Sequence, residues 1–173
     1  DIIIPSPKKD GYSFIGWTTP DNKEPKIDYK ISTGSIGDKE LTANYEPITY
    51  YISYNSSEGQ GEMEKQEFAY NQTSKLNKNQ FTKEGYTFIG WDNDIPEYMP
   101  AGNMVLTAKW SKDVYNITYN LDGGTAGNPD TYEVDSPVIT LERPKRSGYT
   151  FLGWSGTGID GTQMDPVITT GST

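Results

Sequence analysis

The 173-residue sequence has no cysteine and no histidine. Without cysteine there is no disulfide, no thiolate zinc site and no thiol nucleophile. Without histidine the commonest general base and metal ligand is missing. Long apolar runs are absent too. Hydrophobic residues make up 33% of the chain. The longest aliphatic run, Ile2-Ile3-Ile4, falls far short of the ~20 apolar residues that a membrane-spanning helix needs, so no membrane insertion is expected. The N-terminus lacks the basic stretch and apolar segment of an export leader. Positive charge is also in short supply. Fifteen Lys and Arg stand against 24 Asp and Glu, for a net charge of −9. Such a surface repels phosphate backbones, which excludes nucleic acid as a partner.

What the sequence does contain is aromatic residues in a repeated frame. There are 13 Tyr, 5 Phe and 4 Trp, each able to bury ~150–250 Å², so the low hydrophobicity does not imply disorder. One heptapeptide occurs three times: Gly11-Tyr-Ser-Phe-Ile-Gly-Trp17, Gly85-Tyr-Thr-Phe-Ile-Gly-Trp91 and Gly148-Tyr-Thr-Phe-Leu-Gly-Trp154. Tyr50-Tyr-Ile-Ser-Tyr-Asn55 matches Tyr115-Asn-Ile-Thr-Tyr-Asn120, and Leu41-Thr-Ala-Asn-Tyr45 matches Leu106-Thr-Ala-Lys-Trp110. Ile31-Ser-Thr-Gly-Ser35 matches Ile168-Thr-Thr-Gly-Ser172. These are internal repeats of a single structural unit. A unit opens on a Tyr-x-Ile-x-Tyr-Asn strand and a Gly-rich turn. A second extended stretch, a connector, the aromatic strand, a variable loop and a closing Leu-Thr-Ala-x-Trp strand follow. Residues 1–47 are then the C-terminal half of a first repeat, 48–111 a complete second repeat, and 112–173 a third repeat lacking its closing strand. The chain therefore reads as part of a longer protein, with the third closing strand expected to begin near position 178.

Short runs rich in Tyr, Thr, Ile and Val, broken by Gly, Asn, Asp and Pro, predict strands. In the aromatic strand Tyr12 and Phe14 fall on one face and Ile15 and Trp17 on the other. A strand apolar on both faces is expected to be central and covered on both sides. Gly16, between Ile15 and Trp17, suggests a bulge or a close backbone approach. The sets Leu41, Ala43, Tyr45 and Tyr50, Ile52, Tyr54 predict half-buried strands. The best helix candidate is the connector Ser74–Phe81, with Ser74 as N-cap and Leu76 and Phe81 on a thin apolar stripe. Its counterpart in the third repeat, Val138-Ile-Thr-Leu-Glu-Arg-Pro144, is β-branched and ends in proline, which leaves at most one helical turn.

Taken together, the Tyr-x-Ile-x-Tyr-Asn strand, the Gly-Tyr-Thr-Phe-x-Gly-Trp strand and the Leu-Thr-Ala-x-Trp strand closely resemble the Listeria–Bacteroides repeat family, which includes the B repeat of internalin-type surface proteins. The resemblance covers essentially the whole chain. It implies tandem β-grasp-like modules of mainly β structure (α+β at most), with antiparallel-rich sheets and one short helix or turn each. It also implies exported, often wall-anchored bacterial proteins in which the modules act as spacers or contact surfaces, and it carries no catalytic residues to map here.

Chemical sites are weighed against plainer readings. Gly156-Thr-Gly-Ile-Asp-Gly161 matches a dinucleotide-binding loop in letters, but no helix pattern follows it, so a turn is expected. Asp92-Asn-Asp-Ile-Pro-Glu97 and Asp122-Gly-Gly-Thr-Ala-Gly127 begin like calcium loops yet lack the required ligand positions. No carboxylate pair recurs in a way that isolates a glycosidase site. No catalytic, cofactor-binding or metal-binding residue is therefore assigned, and no cofactor is expected. The motif core is assigned to Tyr12, Phe14, Trp17, Tyr86, Phe88, Trp91, Trp110, Tyr149, Phe151 and Trp154. Tyr29, Tyr98 and Tyr132, in variable stretches, are the ligand-contact candidates for a glycan or host protein. Neighbouring repeats of the same chain are the other expected partners, together with strand exchange at the open edge of the third repeat.

Overall fold

The computed structural model describes residues 1–169. Thr170–Ser172, which end the recurring Ile-x-Thr-Gly-Ser stretch, lie outside the described residues, as does Thr173. The fold is all-β. In the first repeat, β1 (Ile2–Ile3) pairs antiparallel with β3 (Lys30–Ile31), and the aromatic strand β2 (Tyr12–Thr18) pairs antiparallel with the closing strand β4 (Thr42–Pro47). The second repeat contributes β5 (Thr49–Asn55), β6 (Gln66–Ala69), β7 (Tyr86–Trp91) and β8 (Met104–Lys112). They form one sheet in the order β6-β5-β8-β7, with β5 and β8 parallel. In the third repeat, β9 (Tyr115–Asn116) pairs with β10 (Thr131–Tyr132), β11 (Ile139–Thr140) with β14 (Val167–Ile168), and β12 (Trp154–Gly156) with β13 (Ile159–Gln163), all antiparallel.

The aromatic strand is not the central one. The closing strand β8 lies between β5 and β7, so β7 is an edge. The bulge explains why a strand with apolar residues at both parities sits there. In β2 the register shifts between Phe14 and Gly16, which adds a residue and breaks the strict alternation. Phe14 and Trp17, three residues apart, therefore meet edge to face with centroids 5.4 Å apart. Phe151 and Trp154 repeat the contact at 5.6 Å. The residue after the motif phenylalanine turns outward in the second and third repeats, where Ile89 is 62% exposed and Leu152 82%, while Ile15 of the first is half-buried. Gly16 takes φ +137°, and a Cβ there would stand 2.5 Å from the Lys26 backbone nitrogen.

No helix forms at Ser74–Phe81 among the described residues. Side chains take the backbone groups that a helix would have to pair. The Gln66 amide oxygen accepts the Asn77 N–H at 2.8 Å and its nitrogen donates to the Lys75 carbonyl at 3.2 Å. Asn79 bonds both the N–H and the C=O of Phe81. Leu76 of this irregular connector packs on the core.

Contacts divide the chain into two compact units, Asp1–Phe81 with Trp91–Ala108, and Thr82–Gly90 with Lys109 onward. The first unit holds the main core, in which Ile52, Phe68, Met99 and Leu106 are buried and Tyr50, Tyr54, Leu76, Trp91 and Met104 pack around them. Burial raises the Tyr54 phenol above its ordinary pKa. In the second unit Leu141 and Trp154 are buried apolar side chains. Arg143 there grips the Asp165 carboxylate with two nitrogens, and this bond holds Asp165 below the usual carboxylate range.

Candidate functional site

The feature built most consistently across repeats is the turn that opens each aromatic strand, with the seat it offers to the next repeat. A basic residue stands three positions before the motif tyrosine each time. The tyrosine N–H donates to its carbonyl: Tyr12 to Lys9 at 3.0 Å, Tyr86 to Lys83 at 3.0 Å and Tyr149 to Arg146 at 3.2 Å. The turn then folds the cation back over the ring, at 4.0 Å for Lys9, 4.5 Å for Lys83 and 3.8 Å for Arg146, a cation–π geometry. The turn glycines, Gly11, Gly85 and Gly148, have φ of +76°, +72° and +75°.

In the first unit this turn receives the second repeat. The Ile48 N–H donates to the Gly11 carbonyl at 2.9 Å and the Tyr70 N–H to the Ile48 carbonyl at 2.8 Å. The face of the Tyr70 ring lies on Gly11, where a Cβ would come within 2.3 Å of ring carbons. The Tyr12 ring meets Tyr70 edge to face at 5.2 Å. The second unit repeats the joint with the third repeat. The Asp113 N–H donates to the Gly85 carbonyl at 2.9 Å, and Val134 occupies the seat, with its Cβ 2.6 Å from where a Gly85 Cβ would be. Val134 falls 64 residues after Tyr70, the spacing that also separates the strand residues Tyr132 and Phe68. At Gly148 the seat is open, with nothing within 4 Å of a Cβ.

Charge reinforces the second joint. The Thr87 hydroxyl donates to the Asp113 carboxylate at 2.6 Å. Lys112 meets Asp135 at 2.6 Å and Glu133 at 3.5 Å. The hydrogen bond from Lys112 holds the Asp135 carboxyl below its ordinary range, and the same bond raises the Lys112 ammonium. A lowered acid stabilises above its unfolded pKa and loses that contribution as pH falls through the folded value. A raised amine stabilises below its unfolded pKa and loses the contribution as pH rises through the folded value. The clamp is thus closed from roughly pH 4 to 10. Replacing Lys112 with Gln is expected to move the Asp135 titration midpoint upward toward an ordinary carboxylate, as read by carbon NMR of the labelled side chain. An unchanged midpoint would show that Lys112 does not hold it.

The sequence-assigned aromatics divide into three groups. Phe14 packs on Tyr45 at 5.7 Å, Trp91 on Tyr54 at 5.2 Å, Phe88 on Trp110 at 5.7 Å and Trp154 on Tyr119 at 5.8 Å. Tyr12, Trp17, Tyr86 and Phe151 are half-buried. Tyr149, expected in the core, is 67% exposed and belongs to no strand among the described residues. Of the ligand candidates, Tyr98 is 49% exposed. Tyr29 is half-buried, with its carbonyl accepting the Ile4 N–H. Tyr132 stacks on Tyr115 at 5.2 Å within the β9–β10 pair. Tyr29 and Tyr98 belong to the first unit and Tyr132 to the second, so the three do not form one site. The three cation–tyrosine turns and Met99, 1% exposed, escaped the sequence reading. The recurring Lys/Arg-x-Gly-Tyr string carried a signal for the turns, whereas Met99 lies in a variable loop and carried none.

The motifs with chemical look-alikes take part in contacts within the fold. Gly156–Gly161 closes the β12–β13 hairpin. The Asp92 carboxylate accepts the Thr107 N–H at 2.7 Å, a bond that holds it below its ordinary range. Asp122 pairs with Arg146 at 2.7 Å. Among the described residues no group of three or more acidic side chains is placed to hold a metal ion, and no helix is long and apolar enough to cross a membrane.

Comparison with known proteins gives a consistent result. The model of the Listeria-Bacteroides repeat domain matches residues 2–44, 50–109 and 115–173. A putative membrane protein of Evansella cellulosilytica is 31% identical over 92% of this chain, which spans 26% of that protein. A putative Gly-rich membrane protein of the same organism is 29% identical over 84% of the chain and 18% of its own length. Internalin H of Listeria monocytogenes is 29% identical over 72% of the chain and 23% of its own length. The chain thus spans about a quarter or less of these relatives. No solved structure matches it significantly.

Proposed function

Because this chain belongs to the Listeria-Bacteroides repeat family, in three consecutive copies, we propose that it is a non-catalytic spacer of an exported bacterial cell-envelope protein, projecting a terminal domain from the cell wall. The observation that carries this reading is the repeated joint. Two successive junctions use the carbonyl of the corresponding turn glycine, the same N–H donor position and a side chain seated from the corresponding position, Tyr70 in one and Val134 in the other. A joint built this way limits hinge freedom, as a stalk requires, whereas a flexible linker would leave each repeat to reorient. Relatives described as membrane proteins and an internalin support the envelope location. Small-angle scattering tests the reading. A compact globule of this length has a radius of gyration of about 16 Å. A clearly larger value with an elongated distance distribution is expected, and a value near the globular one would overturn the spacer reading.

A second reading, contact with a host glycan or protein, is favoured by one observation. The Tyr98 ring is 49% exposed in the variable loop, where a flat aromatic face can stack on a sugar. Glycan-array binding that is lost in Tyr98→Ala would promote adhesion to a primary role, and a blank array would remove it.

A further inference from the structure

The two joints stand on the same scaffold but carry different side chains. At the first, the turn 69–72 presents Tyr70 to its seat. The Gln72 N–H donates to the Ala69 carbonyl at 3.0 Å, and the Gln72 side-chain oxygen accepts the Ala69 N–H at 2.8 Å. At the second, the turn 133–136 presents Val134 with the same pair of bonds. The Ser136 N–H donates to the Glu133 carbonyl at 3.1 Å, and the Ser136 hydroxyl accepts the Glu133 N–H at 2.8 Å. What flanks the seated residue differs. Ala69 and Asn71 stand on either side of Tyr70, whereas Glu133 and Asp135 stand on either side of Val134. At the end of the closing strand, Pro47 precedes the Ile48 donor, whereas Lys112 precedes the Asp113 donor. Three uncharged positions of the first joint are thus all charged in the second. The turn brings both acids onto one ammonium, Asp135 at 2.6 Å and Glu133 at 3.5 Å from Lys112.

We propose that the second joint is an ionic-strength-sensitive latch, so that salt loosens the hold between the second and third repeats and leaves the hold between the first and second unchanged. Two physical differences carry this. Val134 offers its glycine a smaller apolar contact than the Tyr70 ring, which also meets Tyr12 edge to face at 5.2 Å, so charge carries a larger share of the second joint. The charges that carry it are open to solvent. The Lys112, Glu133 and Asp135 side chains are 41%, 41% and 56% exposed, and mobile ions screen attraction between exposed charges. The packed aromatic seat of the first joint has no charge at the matching positions for salt to act on.

Amide hydrogen exchange of the whole chain, followed by NMR, reads the two junction hydrogen bonds directly. The Ile48 N–H reports the first joint and the Asp113 N–H the second. Raising salt from about 0.01 to 1 M shortens the screening length from about 30 to 3 Å. Protection at Asp113 is expected to fall roughly two- to fivefold relative to Ile48, the range of an exposed ion pair. Taking the ratio of the two amides cancels any change in global stability, which both share. In Lys112→Gln the ratio should start low and no longer respond to salt. Moving the latch to the first joint, with Pro47→Lys, Ala69→Glu and Asn71→Asp together, should make Ile48 salt-sensitive in turn. No salt response at Asp113, an equal response at Ile48, or a response that survives Lys112→Gln would overturn the proposal. It rests on the spacer reading only for its consequence, a stalk that yields first between its second and third repeats. Scattering tests that reading and exchange tests this one, so either can fail alone.

Discussion

Gly11→Ala is expected to destabilise the protein by about 2–5 kcal/mol, and Gly148→Ala by only about 1–2 kcal/mol. Both residues hold nearly the same left-handed conformation, φ +76° and +75°, so both substitutions carry the strain of a Cβ in that region, ~1–2 kcal/mol. They differ in what the Cβ meets. At Gly11 it comes within 2.3 Å of the Tyr70 ring, while at Gly148 it meets nothing within 4 Å. The near end of the Tyr70 ring is involved, and Tyr12 packs against that ring, so the ring cannot simply swing away. Overpacking of this kind adds roughly 1–3 kcal/mol. Denaturant unfolding of the two variants measures the difference directly. Adding Tyr70→Ala to Gly11→Ala should return part of the overpacking cost as a favourable coupling. Equal losses in the two single variants, with no coupling in the double, would show that the joint is not a packed seat.

Leu106→Ala is expected to cost about 3–5 kcal/mol, near the top of the range for a buried leucine. Leu106 is 0% exposed, at the centre of the cluster with Ile52, Phe68 and Met99. Its strand is held between two others, which leaves the site little freedom to collapse around the cavity. Val105, one residue earlier, points outward and is 55% exposed, so Val105→Ala should change stability by only about 0.5 kcal/mol. Calorimetric melting of both variants is the measurement. A Val105 loss as large as that of Leu106 would contradict the strand register and the central position of β8.

Several features were legible in the residues because they depend on local chemistry repeated three times. Alternation of Tyr50, Ile52 and Tyr54 marked a half-buried strand, and Ile52 is 0% exposed. Gly16 between two large apolar residues marked a bulge, and the register shifts there. The central position expected for the aromatic strand was wrong for a physical reason. Apolar residues at both parities look like two covered faces, but the bulge rotates Phe14 and Trp17 onto one side. The connector had helix-compatible spacing, yet Gln66, on strand β6 and outside the connector, takes up its backbone at Lys75 and Asn77. No local pattern records a hydrogen bond supplied from another strand. Tyr149 is identical in letter to Tyr12 and Tyr86, but what surrounds it differs, and it stands exposed.

The sequence by itself determined the repeat, its main strands and the bulge at Gly16, because each follows from steric and polar preferences acting within a few residues. Only the tertiary structure decided which strand is central and where Tyr70 and Val134 are seated. Those outcomes depend on which distant segments meet. Apolar burial rewards any covered face alike, so composition alone cannot choose the partner that covers it.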